Sequence, residues 1–351
     1  MKVGILTLHR AINYGAVWQC WALKRMCENL GHEVEVIDYV PFGHYTYSGF
    51  LRHRPDKALA YVRNFKFFND FVNMMLNPTV HSESHEWIMK NPPKDDAYIV
   101  GSDTVWCHGV VGDLINSYLL DFAPNSVRKI AYAASVGGAV DANVEMFKKH
   151  LPSFHSIAVR EPMFLDDLSE WAGKDVVDVC DPTLLLTAND YQSVEKKKKR
   201  VPKHYILVFD LAGDPFLKEV ACALKKKFGY KILNATGKYL KWADVNYYGL
   251  RPQEWLYIMR NADMVCTNSF HGTAFSIIFE RPFVCCQAKN GGRSKTNCRA
   301  ENLLAQTNFM SNYITEMSQI IDWNGTNYEN SRDAIKAYRQ RSILYLQNAL
   351  L

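Results

Sequence analysis

Short unbroken apolar runs alternate with longer segments of helical periodicity along most of this chain. Lys2 to Leu8 reads as a buried strand. Val17, Cys20, Trp21, Cys27 and Leu30 then recur near helical spacing, Gly31 closes the helix, and Glu33 to Tyr39 is the next strand. A strand, a helix and a strand in succession predict a βαβ unit, hence a parallel sheet with a right-handed crossover. Further strands are predicted at Ala97–Val100, Lys129–Ala133, Ser156–Val159 and Val176–Val179. The run KKKKR within Glu195–Arg200 is a solvated charge cluster that marks a boundary. The pattern then restarts. Strands are predicted at Tyr205–Phe209, Tyr230–Asn234, Met264–Thr267 and Phe283–Cys286, and helices at Pro215–Phe228, Pro252–Asn261 and from Thr273 to Phe279. Asn330–Leu351 reads as a long final helix. The expected architecture is α/β: two Rossmann-like domains with parallel sheets, 1–190 and 200–330, followed by a C-terminal helix over 331–351.

Residues 41–92 break this rhythm. Tyr45, Tyr47, Phe50, Tyr61, Phe65, Phe67, Phe68 and Phe71 stand among arginines and lysines, and the stretch reads as a helical excursion from the sheet. It packs on the first domain, or serves as a lid or as a surface that touches an acceptor, a membrane or a partner.

Composition narrows the function classes. With 351 residues, 48% hydrophobic and 22% charged, the chain is ordinary globular protein, which excludes disordered and small disulfide-scaffold classes. A net charge of +5 suits a small anionic ligand and is too weak to argue for nucleic acid. Aromatic residues reach 13%, enough to fill large cores and leave some rings for a sugar site or an interface. The nine cysteines are odd in number, sit mostly in apolar segments and include no CxxC pair. Reduced buried thiols in a cytoplasmic protein are expected, with no zinc site. The N-terminus has neither the basic leader nor the long apolar run of a signal peptide, and no stretch approaches ~20 apolar residues.

In open α/β sheets ligands bind at the carboxyl ends of the strands, so the polar residues there are the candidates. Asn13-Tyr14-Gly15 lies between the first strand and the first helix, where a helix start offers free N–H groups. It is not GxGxxG, so a dinucleotide fingerprint is missing. Ser102, Asp103 and Trp106 combine a carboxylate with an aromatic, a pairing that can hold a sugar; Asp103 could equally cap a helix. Arg160 emerges from an apolar strand and needs an anion, either a ligand or an acid of the protein such as Glu161. Ser269-Phe270-His271-Gly272 stands between a strand and a helix N-terminus. It offers a phosphate seat, a side chain suited to proton transfer near neutral pH, and a glycine that admits a close ligand. Finally, the basic glycine-rich loop Asn290–Lys295, with Arg299 after it, suits closure over a phosphate.

The motifs NYGAVWQCWAL, IVGSDTVW, RKIAYAASVG, AVRE, DPTLLL and TNSFHGTAFSIIFERPFV occur in this order between residue 3 and roughly residue 305. Together they resemble the polysaccharide pyruvyl transferase family. The resemblance implies a GT-B-like pair of Rossmann-like domains with the active site between them. It also implies phosphoenolpyruvate as donor, and as acceptor a sugar bearing two nearby hydroxyls, free or lipid-linked. No metal or nucleotide cofactor is implied, and work on a lipid-linked acceptor would put the protein at the inner face of the membrane. By motif, His271 and Arg160 take the catalytic positions. Arg160, Ser269, Phe270, His271, Gly272 and Arg299 fall on the donor side, and Asn13, Tyr14, Gly15, Ser102, Asp103 and Trp106 on the acceptor side. The GSD segment departs from the family pattern at Thr104 and Cys107, so acceptor specificity does not carry over. Two other readings compete: a GT-B glycosyltransferase using a nucleotide sugar, and a non-catalytic glycan-assembly protein.

Overall fold

The computed structural model describes residues 1–40, 55–210, 213–289 and 297–351. The first apolar run forms β1 (Lys2–Leu6), which pairs in parallel with β2 (Glu33–Val36). Helix α1 (Tyr14–Asn29) joins them and is buried around most of its circumference rather than along one stripe. A helix so apolar all round belongs inside the protein. Helix α2 (Pro55–Met75) and the short α3 (His85–Lys90) follow, before β3 (Ala97–Val100), β4 (Arg128–Ala134), β5 (Ser156–Val159) and β6 (Val176–Asp178). Among the described residues these strands make one six-stranded parallel sheet in the order β2-β1-β3-β4-β5-β6.

The second sheet uses β7 (Tyr205–Phe209), β8 (Lys231–Asn234), β9 (Val245–Asn246), β10 (Met264–Thr267), β11 (Phe283–Cys286) and β12 (Tyr313–Ile314). Its order is β9-β8-β7-β10-β11-β12, again all parallel. Numbered within the unit this is 3-2-1-4-5-6, the doubly wound dinucleotide-fold order. Every residue of β7, β10 and β11 is buried, as expected for parallel strands covered on both faces. The longer helices of this unit include α4 (Pro215–Phe228), α5 (Pro252–Arg260), α6 (Phe270–Ile278) and α7 (Asn297–Gln306).

The chain divides into two compact units. One comprises Met1–His53, Phe68–Leu185 and Tyr338–Leu351; the other comprises Arg54–Phe67 and Leu186–Ala337. The sequence reading kept 331–351 apart and put 41–92 wholly with the first domain. The difference lies in side-chain anchors. The last helix, α8 (Arg332–Leu350), is tied to the first sheet. The Tyr345 hydroxyl donates to the Ala131 carbonyl (3.0 Å), the Tyr338 hydroxyl to the Val179 carbonyl (3.2 Å), and the Cys180 N–H to Ser342 Oγ (2.9 Å). In α2, Phe68 and Phe71 bury against Tyr14 and Trp18, at 5.0 and 4.8 Å between ring centroids. Phe67 instead lies 4.3 Å beneath the Arg251 guanidinium in the second unit. Tyr45, Tyr47 and Phe50 lie outside the described residues. Among the described residues no helix is long and apolar enough to cross a membrane.

Deleting Tyr338–Leu351 strips Tyr338, Leu346 and Leu350 from the first unit, all buried. At roughly 1.5–3 kcal/mol per large apolar side chain, the loss approaches the whole stability of a typical domain. The truncated chain is expected to lose its cooperative urea transition in that unit, read as rapid proteolysis of residues 68–185 while the second unit persists.

Candidate active site

In a doubly wound sheet the strand order reverses at one place, where the two adjoining connections leave in opposite directions and open a crevice. In the second unit that place lies between β7 and β10. Asp210 follows β7 and is buried. Its Oδ1 accepts from the Gly213 N–H (2.9 Å) and Asn268 Nδ2 (3.0 Å), and its Oδ2 from the Asp214 N–H (2.8 Å). Asp214 caps α4 through the Phe216 N–H (2.9 Å), and its other oxygen accepts from the Lys289 N–H (2.7 Å). Across the crevice, Ser269 caps α6 by accepting from the Gly272 N–H at 3.4 Å. The helix therefore begins at Phe270, three residues before the expected Thr273, and His271 sits in its first turn rather than in a loop. His271 is 8% exposed, with its ring edge-on to Phe270 at 5.2 Å. The dipole at the N-terminal pole of α6 favours an anion beside this imidazole.

A Cβ at Gly272 would lie 2.4 Å from Thr267 Oγ1, so the missing side chain makes room for the protein's own strand end. Thr267 in turn donates to the Phe209 carbonyl (2.7 Å) and accepts from the Ser269 N–H (3.0 Å), which locks the turn across β7 and β10. Arg299 lies half-buried in the first turn of α7. The basic loop before it, residues 290–296, lies outside the described residues.

The first unit has its reversal between β1 and β3. Ser102 is fully buried there, its N–H donating to Gln19 Oε1 (3.1 Å) and its hydroxyl to Asp181 Oδ2 (3.0 Å). Arg160 Nη1 donates to that same Asp181 oxygen at 2.8 Å, while Asp181 Oδ1 accepts from Thr183 N–H and Oγ1. A protein carboxylate, Asp181, is thus in contact with Arg160. Burial works against the guanidinium charge, but Asp181 and then Glu161 outweigh it and raise its pKa above the arginine value.

Trp106 is corrected by the structure. It is fully buried, its Nε1 donates to the Tyr118 carbonyl (2.9 Å), and its ring packs on Phe147 and Phe154 at 5.6 and 6.0 Å. It is a core residue and offers no face to a sugar. Asp103 does not cap a helix either; its Oδ1 accepts from the Thr104 N–H (2.9 Å), and the side chain is partly exposed. Asn13 caps α1 through the Gly15 N–H (2.9 Å), which places Tyr14 and Gly15 inside the helix, both buried.

The sequence model of the polysaccharide pyruvyl transferase family matches residues 13–290. The chain belongs to that family. A comparison with curated proteins gives no match. Among solved structures, the chain is similar to a UDP-GlcNAc 2-epimerase from Neisseria meningitidis bound to UDP-GlcNAc. That likeness has TM-score 0.52 and 10% identity, covering 100% of this chain and 99% of that one. An alpha-glucosyltransferase in complex with UDP and DNA is also similar, with TM-score 0.51 and 11% identity, covering 100% and 95%. These neighbours establish the GT-B-like α/β fold of this family member.

The matched region includes three residues that the strand-end comparison passed over: Asp210, Asp214 and Asn268. The signal was present, since Asp210 directly follows YILVF just as Asp103 closely follows AYIV. A fourth is Asp38, after β2. It accepts from His9 Nε2 (2.8 Å) and from Arg10 through both Nε (2.7 Å) and Nη2 (2.6 Å), and it lies 3.1 Å from His81 Nδ1. Burial opposes its charge, but Arg10 and His9 outweigh burial and hold its pKa well below the carboxylate range. Among the described residues no group of three or more His, Cys, Asp or Glu is arranged to hold a metal.

Two predictions follow from these carboxylates. Arg160→Ala removes the guanidinium that pairs with the buried Asp181 and is expected to cost about 3–5 kcal/mol in urea denaturation. Asp38 titrates lower in the folded chain than in the unfolded one, so its contribution is full above about pH 4 and fades as the pH falls further. Asp38→Asn is therefore expected to cost about 2 kcal/mol at pH 7, with the gap from the parent narrowing below about pH 4 in parallel thermal melts.

Proposed function

We propose that the protein transfers pyruvate from phosphoenolpyruvate onto two hydroxyls of one sugar, forming a pyruvate ketal on a glycan or a lipid-linked glycan precursor. The observation that carries this reading is His271 in the first turn of α6, at the crevice where the second sheet reverses its order. It stands in a chain whose family acts as polysaccharide pyruvyl transferases.

The chemistry asks for what this turn offers. Phosphoenolpyruvate is an enol phosphate. A proton delivered to its methylene carbon makes a methyl group and leaves the central carbon electrophilic. One sugar hydroxyl adds there and gives up its proton. The second hydroxyl then displaces phosphate, losing its own proton as the ring closes. Phosphoenolpyruvate and the diol thus become ketal and inorganic phosphate. In our reading His271 passes the proton to the methylene carbon and takes one back from a hydroxyl. The positive pole of the α6 dipole and the Arg299 guanidinium attract the donor's phosphate and carboxylate. Ser269 and Phe270 hold the donor through this same turn, and Asp210 positions it through Asn268. Arg160 acts through Asp181 on the strand end that carries Ser102 and Asp103, and Asp103, with Asn13 and Tyr14 nearby in the same unit, is the acceptor-side candidate. No metal or nucleotide cofactor has a part in this scheme.

The test follows product mass and phosphate release together, with phosphoenolpyruvate and a panel of free and lipid-linked glycans. Ketal and phosphate in equal amounts are expected; release of a nucleoside diphosphate from a sugar nucleotide would point to glycosyl transfer instead. His271→Ala is expected to lower turnover by about 10²–10⁴ with the fold intact by circular dichroism. Unchanged turnover in that variant would sink the assignment.

A further inference from the structure

Along the same carboxyl edge of the second sheet, two tyrosines stand out of the protein. Tyr239 follows β8 and Tyr248 follows β9, two and three strands away from β10. At about 4.8 Å per strand, the ends of β8 and β9 lie on the order of 10–14 Å from the end of β10. Their rings are parallel to within 6°, with centroids 6.1 Å apart, and the residues are 59% and 45% exposed.

The backbone beneath these rings is held in place. Asn234, fully buried, accepts from Thr236 through both N–H (3.0 Å) and Oγ1 (2.7 Å), and donates to the Lys238 carbonyl and to Asn246 Oδ1. Asn246 in turn accepts from the Leu240 N–H (2.9 Å) and donates to its carbonyl (3.1 Å). Two amide side chains therefore fix both flanks of Tyr239. On the other side, Asn64 Nδ2 donates to the Tyr248 carbonyl at 3.2 Å. A Cβ at Gly249 would lie 2.1 Å from Asn64 Oδ1, so a side chain there would have to displace that amide. Exposed aromatic rings on a fixed backbone are preorganised, and binding to them costs little further ordering.

We infer that Tyr239 and Tyr248 form a carbohydrate subsite that stacks a pyranose ring of the glycan acceptor, away from the sugar that reacts. The inference rests on the glycan-acting reading above. Exposed phenol rings present apolar faces that match the C–H face of a pyranose. The exposed Lys238 and Lys241 on the same loop favour a polar, acid-bearing ligand over a lipid surface, which would call for a wider apolar patch.

The experiment uses the full chain on an array of immobilised bacterial-type di- to hexasaccharides. The parent protein is expected to bind a subset. Tyr239→Ala/Tyr248→Ala is expected to weaken those glycans by at least about tenfold, and Tyr239→Phe/Tyr248→Phe, which keeps the stacking surface, by less than about threefold. Thermal midpoints should stay within about 2 °C, since both side chains are exposed. Equal binding by the alanine variant, or no array binding by the parent, overturns the subsite. So does tyrosine-dependent flotation on phosphatidylglycerol vesicles without glycan binding. Tyrosine-dependent glycan binding with no ketal formed from phosphoenolpyruvate would support the subsite and sink the reaction instead.

Discussion

A carboxylate buried at the end of a parallel strand is stable only when its lone pairs are met by donors, because an unpaired charge away from water costs several kcal/mol. Three strand ends in this protein are organised around such a group. Asp210 gathers two backbone N–H groups and the Asn268 amide. Asp181 gathers Arg160, Ser102 and Thr183. Asp38 gathers His9, Arg10 and His81. Each draws together segments far apart in sequence, and each sits where strands of a doubly wound sheet deliver their connections. The turn that presents His271 is tied to the first of these through Asn268, and to the end of β7 through the Thr267 hydroxyl on the Phe209 carbonyl.

This constraint marks out the residues that hold the frame. Arg160 and Asp181 lie in a buried ion pair, so removing either partner is a stability event before it is a chemical one. His271 is different in kind: its neighbours Ser269 and Thr267 bond to backbone and shape the helix start, which leaves the imidazole beside the N-terminal pole of α6. The polysaccharide pyruvyl transferase family match across residues 13–290 covers both units, so frame and candidate chemistry belong to one family pattern. The pinned tyrosines beyond β8 and β9 apply the same principle at the surface, with Asn234, Asn246 and Asn64 in the place of the carboxylates.

Most of the fold was legible in the chain. The strands Ala97–Val100, Ser156–Val159, Tyr205–Phe209, Met264–Thr267 and Phe283–Cys286 end where the apolar runs end, and Pro215–Phe228 runs from its proline to Gly229 as its spacing requires. Apolar periodicity is a local property, and buried parallel strands declare it strongly. The two-residue strands β9 and β12 carry too few positions to show any period. The start of α6 was misplaced because apolar spacing reports the buried face of a helix, whereas the cap is set by one hydroxyl, that of Ser269.

The sequence by itself determined the α/β class, the repeated strand–helix rhythm, the family motifs and the strand ends where polar residues gather. All of these are written in neighbouring residues or in short ordered motifs. Only the tertiary structure decided which of those residues are available. It buried Trp106 among Phe147 and Phe154, closed Arg160 onto Asp181, matched Gly272 to Thr267, and returned the last helix to the first sheet through Tyr338, Ser342 and Tyr345. Exposure and pairing depend on partners tens to hundreds of residues away, and a single chain read in order carries no distance between them.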